Sequence, residues 1–169
     1  CHGSYWVTEI VDGVDRVRRC DCWRPSLGAH QLANARIPRR YQHCQLSNFE
    51  QTVDSLREAH RRARAFVDAF PAVDKGLLLR GRHGVGKTHL AVAMLREIMT
   101  TKGARGYFYE TRELLKLVRD TFAGPGESEL DVLRPVLEAD LLVLDDLGAE
   151  KTSEWVQETL GLVVNTRYS

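Results

Sequence analysis

The sequence predicts an α/β fold, a parallel sheet flanked by helices, and three observations carry that expectation. Short apolar runs at Gly76 to Leu79, Arg105 to Tyr109 and Leu141 to Leu144 alternate with longer segments of helical periodicity. The run Leu141 to Leu144 has no polar residue at any position, which suits a strand covered on both faces. A glycine-rich turn, Gly81 to Gly86, separates the first run from a helix-forming stretch, so strand, turn and helix follow in the order of a parallel sheet.

Tyr5 to Val11 and Val14 to Cys20 are β-prone and flank Asp12-Gly13, a dipeptide suited to a tight hairpin turn. Arg24 to Arg40 holds two prolines and little periodicity, and reads as a linker or irregular helix. Val53, Leu56, Ala63, Phe66, Val67 and Phe70 fall at helical spacing ahead of Pro71, predicting a helix over Gln51 to Ala69 whose outer face carries Arg57, Arg61 and Arg64. Lys87 to Lys102 is the next helix, stopped by Gly103. Arg112 to Phe122, Leu130 to Glu138 and Ser153 to Asn165 complete the helices, with a loop around Gly124-Pro125-Gly126. The chain divides into a cysteine-bounded ribbon (1–23), a linker (24–50) and the main domain (51–169).

Composition bounds the function. At 169 residues, 43% hydrophobic and 28% charged, the chain supports one globular core and excludes collagen-like, disordered and membrane classes. No apolar run approaches the roughly 18 residues of a membrane span, and no signal-peptide pattern opens the sequence, so a soluble cytoplasmic protein is expected. The net charge of +1 conceals a basic front, 11 Arg against 7 acids over residues 1–64, and a mildly acidic remainder. Cys1 stands where an initiator Met would, and Ser169 follows a stretch that reads as the middle of a fold, so an excerpt of a longer protein is expected.

Gly81-Arg82-His83-Gly84-Val85-Gly86-Lys87-Thr88 fits G-x-x-x-x-G-K-[ST], the P-loop. Glycines let successive backbone N–H groups face one concavity, and the N-terminus of the following helix adds a favourable dipole, making a cradle for phosphate. Lys87 is expected to reach the β- and γ-phosphates of ATP, and Thr88 to ligate Mg²⁺. Asp145 and Asp146 leave the Leu141 strand at its C-terminal edge, where ligands of parallel sheets bind. Asp145 is read as the second Mg²⁺ residue. Asp146 is read as the acid that orients the attacking water. Lys87, Asp145 and Asp146 are the catalytic candidates, and paired acids suit water activation better than phosphoryl transfer to a metabolite.

Taken with Arg39-Arg40-Tyr41, Leu46-Ser47-Asn48-Phe49, Ser153-Glu154-Trp155 and Asn165-x-Arg167-Tyr168, these motifs make the chain from about Ile37 onward resemble the DnaC/IstB family of AAA+ ATPases. That family loads replicative helicases or assists transposases. His89 and Leu90 after Thr88, and Asp146 where many AAA+ proteins carry Glu, match this group, and the shorter acid implies slow catalysis. The resemblance implies an AAA+ core that continues beyond Ser169 with a sensor strand and an arginine finger, and self-association in which a neighbour completes the ATP site. It implies a replicative helicase and single-stranded DNA as partners. A transposition helper acting on duplex DNA, and a nucleotide-switched adaptor with negligible hydrolysis, stand as alternatives.

Two further groups stay outside the ATP site. Cys1, Cys20 and Cys22 frame the hairpin, a C-x-C and one half of a second pair, in the manner of a structural zinc ribbon. His2 and Cys44 are candidates for a fourth ligand, though Cys44 better suits a small hydrophobic core position, and reduced unpaired cysteines are the alternative. Arg112, Lys116 and Arg119 fall at i, i+4 and i+7, one cationic stripe, with Leu114, Leu115, Val118 and Phe122 expected against the sheet. By the family resemblance this helix faces a central channel where DNA would run.

Overall fold

The computed structural model describes residues 6–11, 14–19, 23–123 and 128–168. Strands β1 (Trp6–Val11) and β2 (Val14–Arg19) form an antiparallel hairpin with Val11 opposite Val14. The expected Asp12-Gly13 turn lies outside the described residues. Helix α1 (Trp23–Asn34) follows, then two 3-10 turns, Arg39–Tyr41 and Leu46–Asn48. Helices α2 (Asp54–Ala69) and α3 (Lys87–Lys102) lead to β3 (Gly106–Glu110), α4 (Thr111–Asp120), α5 (Glu129–Glu138), β4 (Leu141–Asp145) and α6 (Glu154–Tyr168). No helix among the described residues is long and apolar enough to cross a membrane.

Strands β3 and β4 pair in parallel, from Gly106 opposite Leu141 to Glu110 opposite Asp145. Side chains alternate across a strand, and the packing follows that parity. Phe108, Leu141 and Val143 meet Val92, Leu95 and Met99 of α3 on one face. Tyr107, Tyr109, Leu142 and Leu144 meet Leu114, Val118, Leu133, Val136 and Val163 of α4, α5 and α6 on the other. Helix α3 is buried on almost every side, and Gly103 ends it in the left-handed region at φ 69°.

Three expectations need correction. The run Gly76 to Leu79 forms no ladder. Leu77 and Leu78 are exposed, and Leu79 packs beside Leu141 against the cluster of α2 and α3. Apolar composition favours a strand, but a strand exists only where a neighbour supplies hydrogen bonds, and β4 is paired with β3 alone among the described residues. For the same reason β4 is half-buried along its whole length rather than enclosed. Phe122 is 63% exposed in the turn after α4, because the helix stops at Asp120 before its apolar stripe reaches that residue.

The stretch 24–50, read as linker, enters the core. Ala35, Cys44, Leu46 and Phe49 are buried, and the amide of Phe108 donates to the carbonyl of Ala35 at 2.8 Å. The outer arginines of α2 are ion-paired, Arg57 and Arg61 within the helix and Arg64 to α3. Arg57 pairs with Asp54, Arg61 and Arg62 with Glu58, and Arg64 with Glu97.

Gly106 lets α3 lie close against β3. A Cβ there would lie 2.5 Å from Leu95 Cδ1 and 2.9 Å from Met99 Sδ. Gly106→Ala is expected to destabilise the protein by about 1–3 kcal/mol through overpacking. Denaturant unfolding checks this, and a neutral result would mean that α3 can slide away from β3.

Candidate nucleotide-binding site

The loop Gly81 to Val85 is exposed and leads into α3. Gly84 and Gly86 have φ of 78° and 93°, values that cost a residue with a Cβ about 1–2 kcal/mol, so glycine is required by the backbone path. Gly81 lies at φ 156° near the extended limit. Gly86 is also constrained from behind, since a Cβ there would stand 2.8 Å from Phe49 Cε2. Phe49 in turn stacks on His60, at 6.0 Å between ring centroids, and so forms a fixed floor beneath the loop.

Lys87 Nζ donates to the carbonyls of Gly81 at 3.1 Å and Arg82 at 2.9 Å, which holds the ammonium over the loop at the start of α3. Thr88 Oγ1 donates to the Asp145 carboxylate, 3.0 Å from Oδ1 and 2.9 Å from Oδ2. Residues 141, 143 and 145 share one strand face, so parity turns Asp145 toward α3, and the first turn of α3 presents Thr88 to it. A hydroxyl beside a carboxylate is the hard oxygen pair Mg²⁺ takes from protein, with water and phosphate completing its shell. The donor set therefore fits that ion.

Asp146 is exposed and left-handed at φ 52°, at the start of the loop after β4. Two contacts from α4 brace it. Buried Thr111 donates Oγ1 to the Asp145 carbonyl at 2.8 Å, and Arg112 donates to the Ala149 carbonyl. Arg112 is thus engaged, whereas Lys116 and Arg119 are exposed and without ionic partners among the described residues.

Sequence reasoning placed Lys87, Thr88, Asp145 and Asp146, and the structure brings them together. It missed Thr111, and it quoted Asn48 and Phe49 as motif residues without a role, because their roles rest on contacts between distant segments. His89 lies inside the site region, its Nε2 at 2.9 Å from Asn48 Oδ1 and 3.1 Å from the Gln45 carbonyl. His83, Val85 and Arg82 line the exposed loop. Arg167, part of a quoted motif, is structural: it donates to the carbonyls of Val136 at 3.2 Å and Ala139 at 2.6 Å, capping α5. Burial lowers the pKa of that guanidinium, offset in part by Asp140. Cys1, His2, Cys20 and Cys22 lie outside the described residues.

A family model described as IstB-like ATP binding protein matches residues 29–169. The chain is similar to the replicative helicase loader DnaC of Escherichia coli strain K12, 27% identical over 129 residues that cover 76% of this chain and 52% of the other. It is also similar to the uncharacterized protein YqaM of Bacillus subtilis strain 168, 25% identical over 162 residues, covering 89% and 50%. The chain spans about half the length of these curated relatives. Among solved structures, a crystal structure of the DnaC helicase loader matches with a TM-score of 0.71 and 38% identity over 78% of this chain and 73% of that one. A putative primosome component from Streptococcus pyogenes serotype M3 shares the fold, with a TM-score of 0.67 at 24% identity over 82% and 72%.

Gly84 and Gly86 separate two costs of a side chain in the loop. Gly84→Ala meets open space and should cost about 1–2 kcal/mol from backbone strain alone. Gly86→Ala adds the collision with Phe49 and should cost about 1–3 kcal/mol more. Thermal unfolding of the two variants measures the difference, and equal losses would show that Phe49 yields freely.

Proposed function

Because the chain belongs to the family of IstB-like ATP-binding proteins, we propose that it is an ATP-hydrolysing switch acting in DNA replication as a DnaC-like helicase loader in the cytoplasm. The observation that carries the reading is the hydrogen bond from Thr88 to Asp145, which joins the phosphate loop to the acidic strand end.

Lys87 and the loop amides bind the phosphates, and Thr88 with Asp145 would hold Mg²⁺, which when bound offsets negative charge on the phosphate oxygens. Asp146 projects from the strand end toward solvent and orients the attacking water. As Asp rather than Glu it reaches one methylene less far, so slow turnover is expected. A hexameric replicative helicase is the partner, supported by the similarity to DnaC. Self-association through the ATP site completes the γ-phosphate pocket, and Cys1, Cys20 and Cys22 hold Zn²⁺ in the ribbon.

Lys87→Ala removes a charge-assisted contact of about 1.5–3 kcal/mol and should weaken ATP binding at least about tenfold by calorimetry. Equal affinity in the two proteins would overturn the site. Asp146→Asn should keep binding and lose turnover; hydrolysis at the wild-type rate would move the role to another acid.

Single-stranded DNA runs along α4. Since Arg112 also braces the loop after β4, the clean test is Lys116→Glu/Arg119→Glu, which leaves that contact in place. Two phosphate contacts at about 0.7 each should flatten the slope of log K against log salt by about 1.4. An unchanged slope and affinity would place DNA elsewhere, with the ion-paired arginines of α2 next in line.

A further inference from the structure

We propose that His43, Cys44 and His89 form a Zn²⁺ site beside the phosphate loop, with the fourth position open to water. One ligand atom from each of the three residues lies within 4.8 Å of the other two. His43 and Cys44 sit between the two 3-10 turns, and His89 is the third residue of α3, so the site would pin the 43–48 segment to the helix that carries Thr88.

The hydrogen bonds around His89 determine which of its nitrogens is available. Asn48 Nδ2 donates to the His43 carbonyl at 2.9 Å, and Asn48 Oδ1 accepts from the Gln45 amide at 2.9 Å. Those two bonds fix the amide orientation, so Oδ1 faces His89 as an acceptor. The Gln45 carbonyl is the other neighbour of His89 Nε2. Two acceptors at one ring nitrogen require that it carry the proton, which leaves the lone pair on Nδ1. A ligating histidine that donates its second N–H to a carbonyl or amide oxygen is the outer-shell pattern of zinc sites.

Cys44 is buried, and burial raises the pKa of its thiol while Arg96 works in the opposite direction. Coordination would release that proton to water and leave a thiolate bound to the metal. His43 is exposed, the side from which an ion would enter. Bonds of about 2.0–2.3 Å in a tetrahedron put ligand atoms roughly 3.3–3.7 Å apart, so the set must close by about 1 Å. Rotation of the exposed His43 ring is the least costly way to do so. One cysteine with two imidazoles suits Zn²⁺ better than Mg²⁺ or Ca²⁺, which take oxygen.

Residues 1–169 hold four cysteines, so a full-length protein with Cys1→Ser, Cys20→Ser and Cys22→Ser, and with any cysteine outside this stretch also replaced by serine, isolates Cys44. Titrated with Co²⁺, that protein should show a thiolate charge-transfer band at one equivalent, displaced by Zn²⁺. Adding His43→Ala should weaken Co²⁺ binding by about 100-fold, at or beyond the loss typical of an outer-shell partner. No thiolate band, or the same affinity without His43, would overturn the site and leave the three residues as packing. Should the serine background fail to fold, metal analysis of wild type against His43→Ala decides. The site predicts one zinc atom fewer in the variant, and equal zinc content refutes it.

Discussion

Thr88 can meet Asp145 only if α3 lies at one height and one rotation on the sheet, and the ATP site is a consequence of that docking. The hydrogen bond between them does not set it. A bond to a charged group contributes about 1.5–3 kcal/mol, while each of Val92, Leu95, Ile98 and Met99 contributes roughly 1.5–3 kcal/mol by its burial. Packing along the length of the helix therefore positions the hydroxyl, and the hydroxyl reports the result. Gly106 makes the fit close, because no side chain there holds Leu95 and Met99 away from β3.

Strand parity is the second half of the constraint. Leu141, Val143 and Asp145 belong to the α3 face, and Leu142 and Leu144 to the face of α4, α5 and α6. A slip of one residue in β4 would exchange the two sets, turning the carboxylate away from Thr88 and setting the wrong side chains against each helix. The alternation of Tyr107, Phe108 and Tyr109 in β3 guards the same register from the neighbouring strand. Core composition and site geometry are thus one specification.

How much of this is legible in the sequence depends on whether a feature is local. The phosphate loop is legible because its glycines answer a backbone demand at their own positions, and α3 ends where Gly103 permits the left-handed turn. Asp145 follows from an apolar run with an acid at its end. Gly76 to Leu79 has the composition of a strand but not the partner, and partners are not written in the run itself. Helix α1 is legible only as a linker or irregular helix, because Pro25 and Gly28 fall inside it and leave little apolar periodicity. Thr111, Asn48 and Arg167 act through hydrogen bonds to residues 34, 41 and 31 positions away, and nothing in their immediate neighbourhoods announces those contacts.

The start of α4 links the nucleotide site to the surface that faces outward. Thr111 holds the carbonyl of Asp145 and Arg112 that of Ala149, so the two bonds grip the backbone on either side of Asp146. A displacement of this loop must either carry α4 with it or break the bonds. Each contributes about 0.5–1.5 kcal/mol, more where the guanidinium donates, which is the scale of the 1–3 kcal/mol by which coupled sites commonly influence one another. Lys116 and Arg119 ride on the same ten-residue helix, one and two turns further along. A helix of that length moves as a unit, because its buried residues Leu114 and Val118 anchor it to one cluster. The geometry therefore gives the loop carrying Asp146 a short mechanical path to two cations that, among the described residues, have no ionic partner and are reached through no intervening hinge.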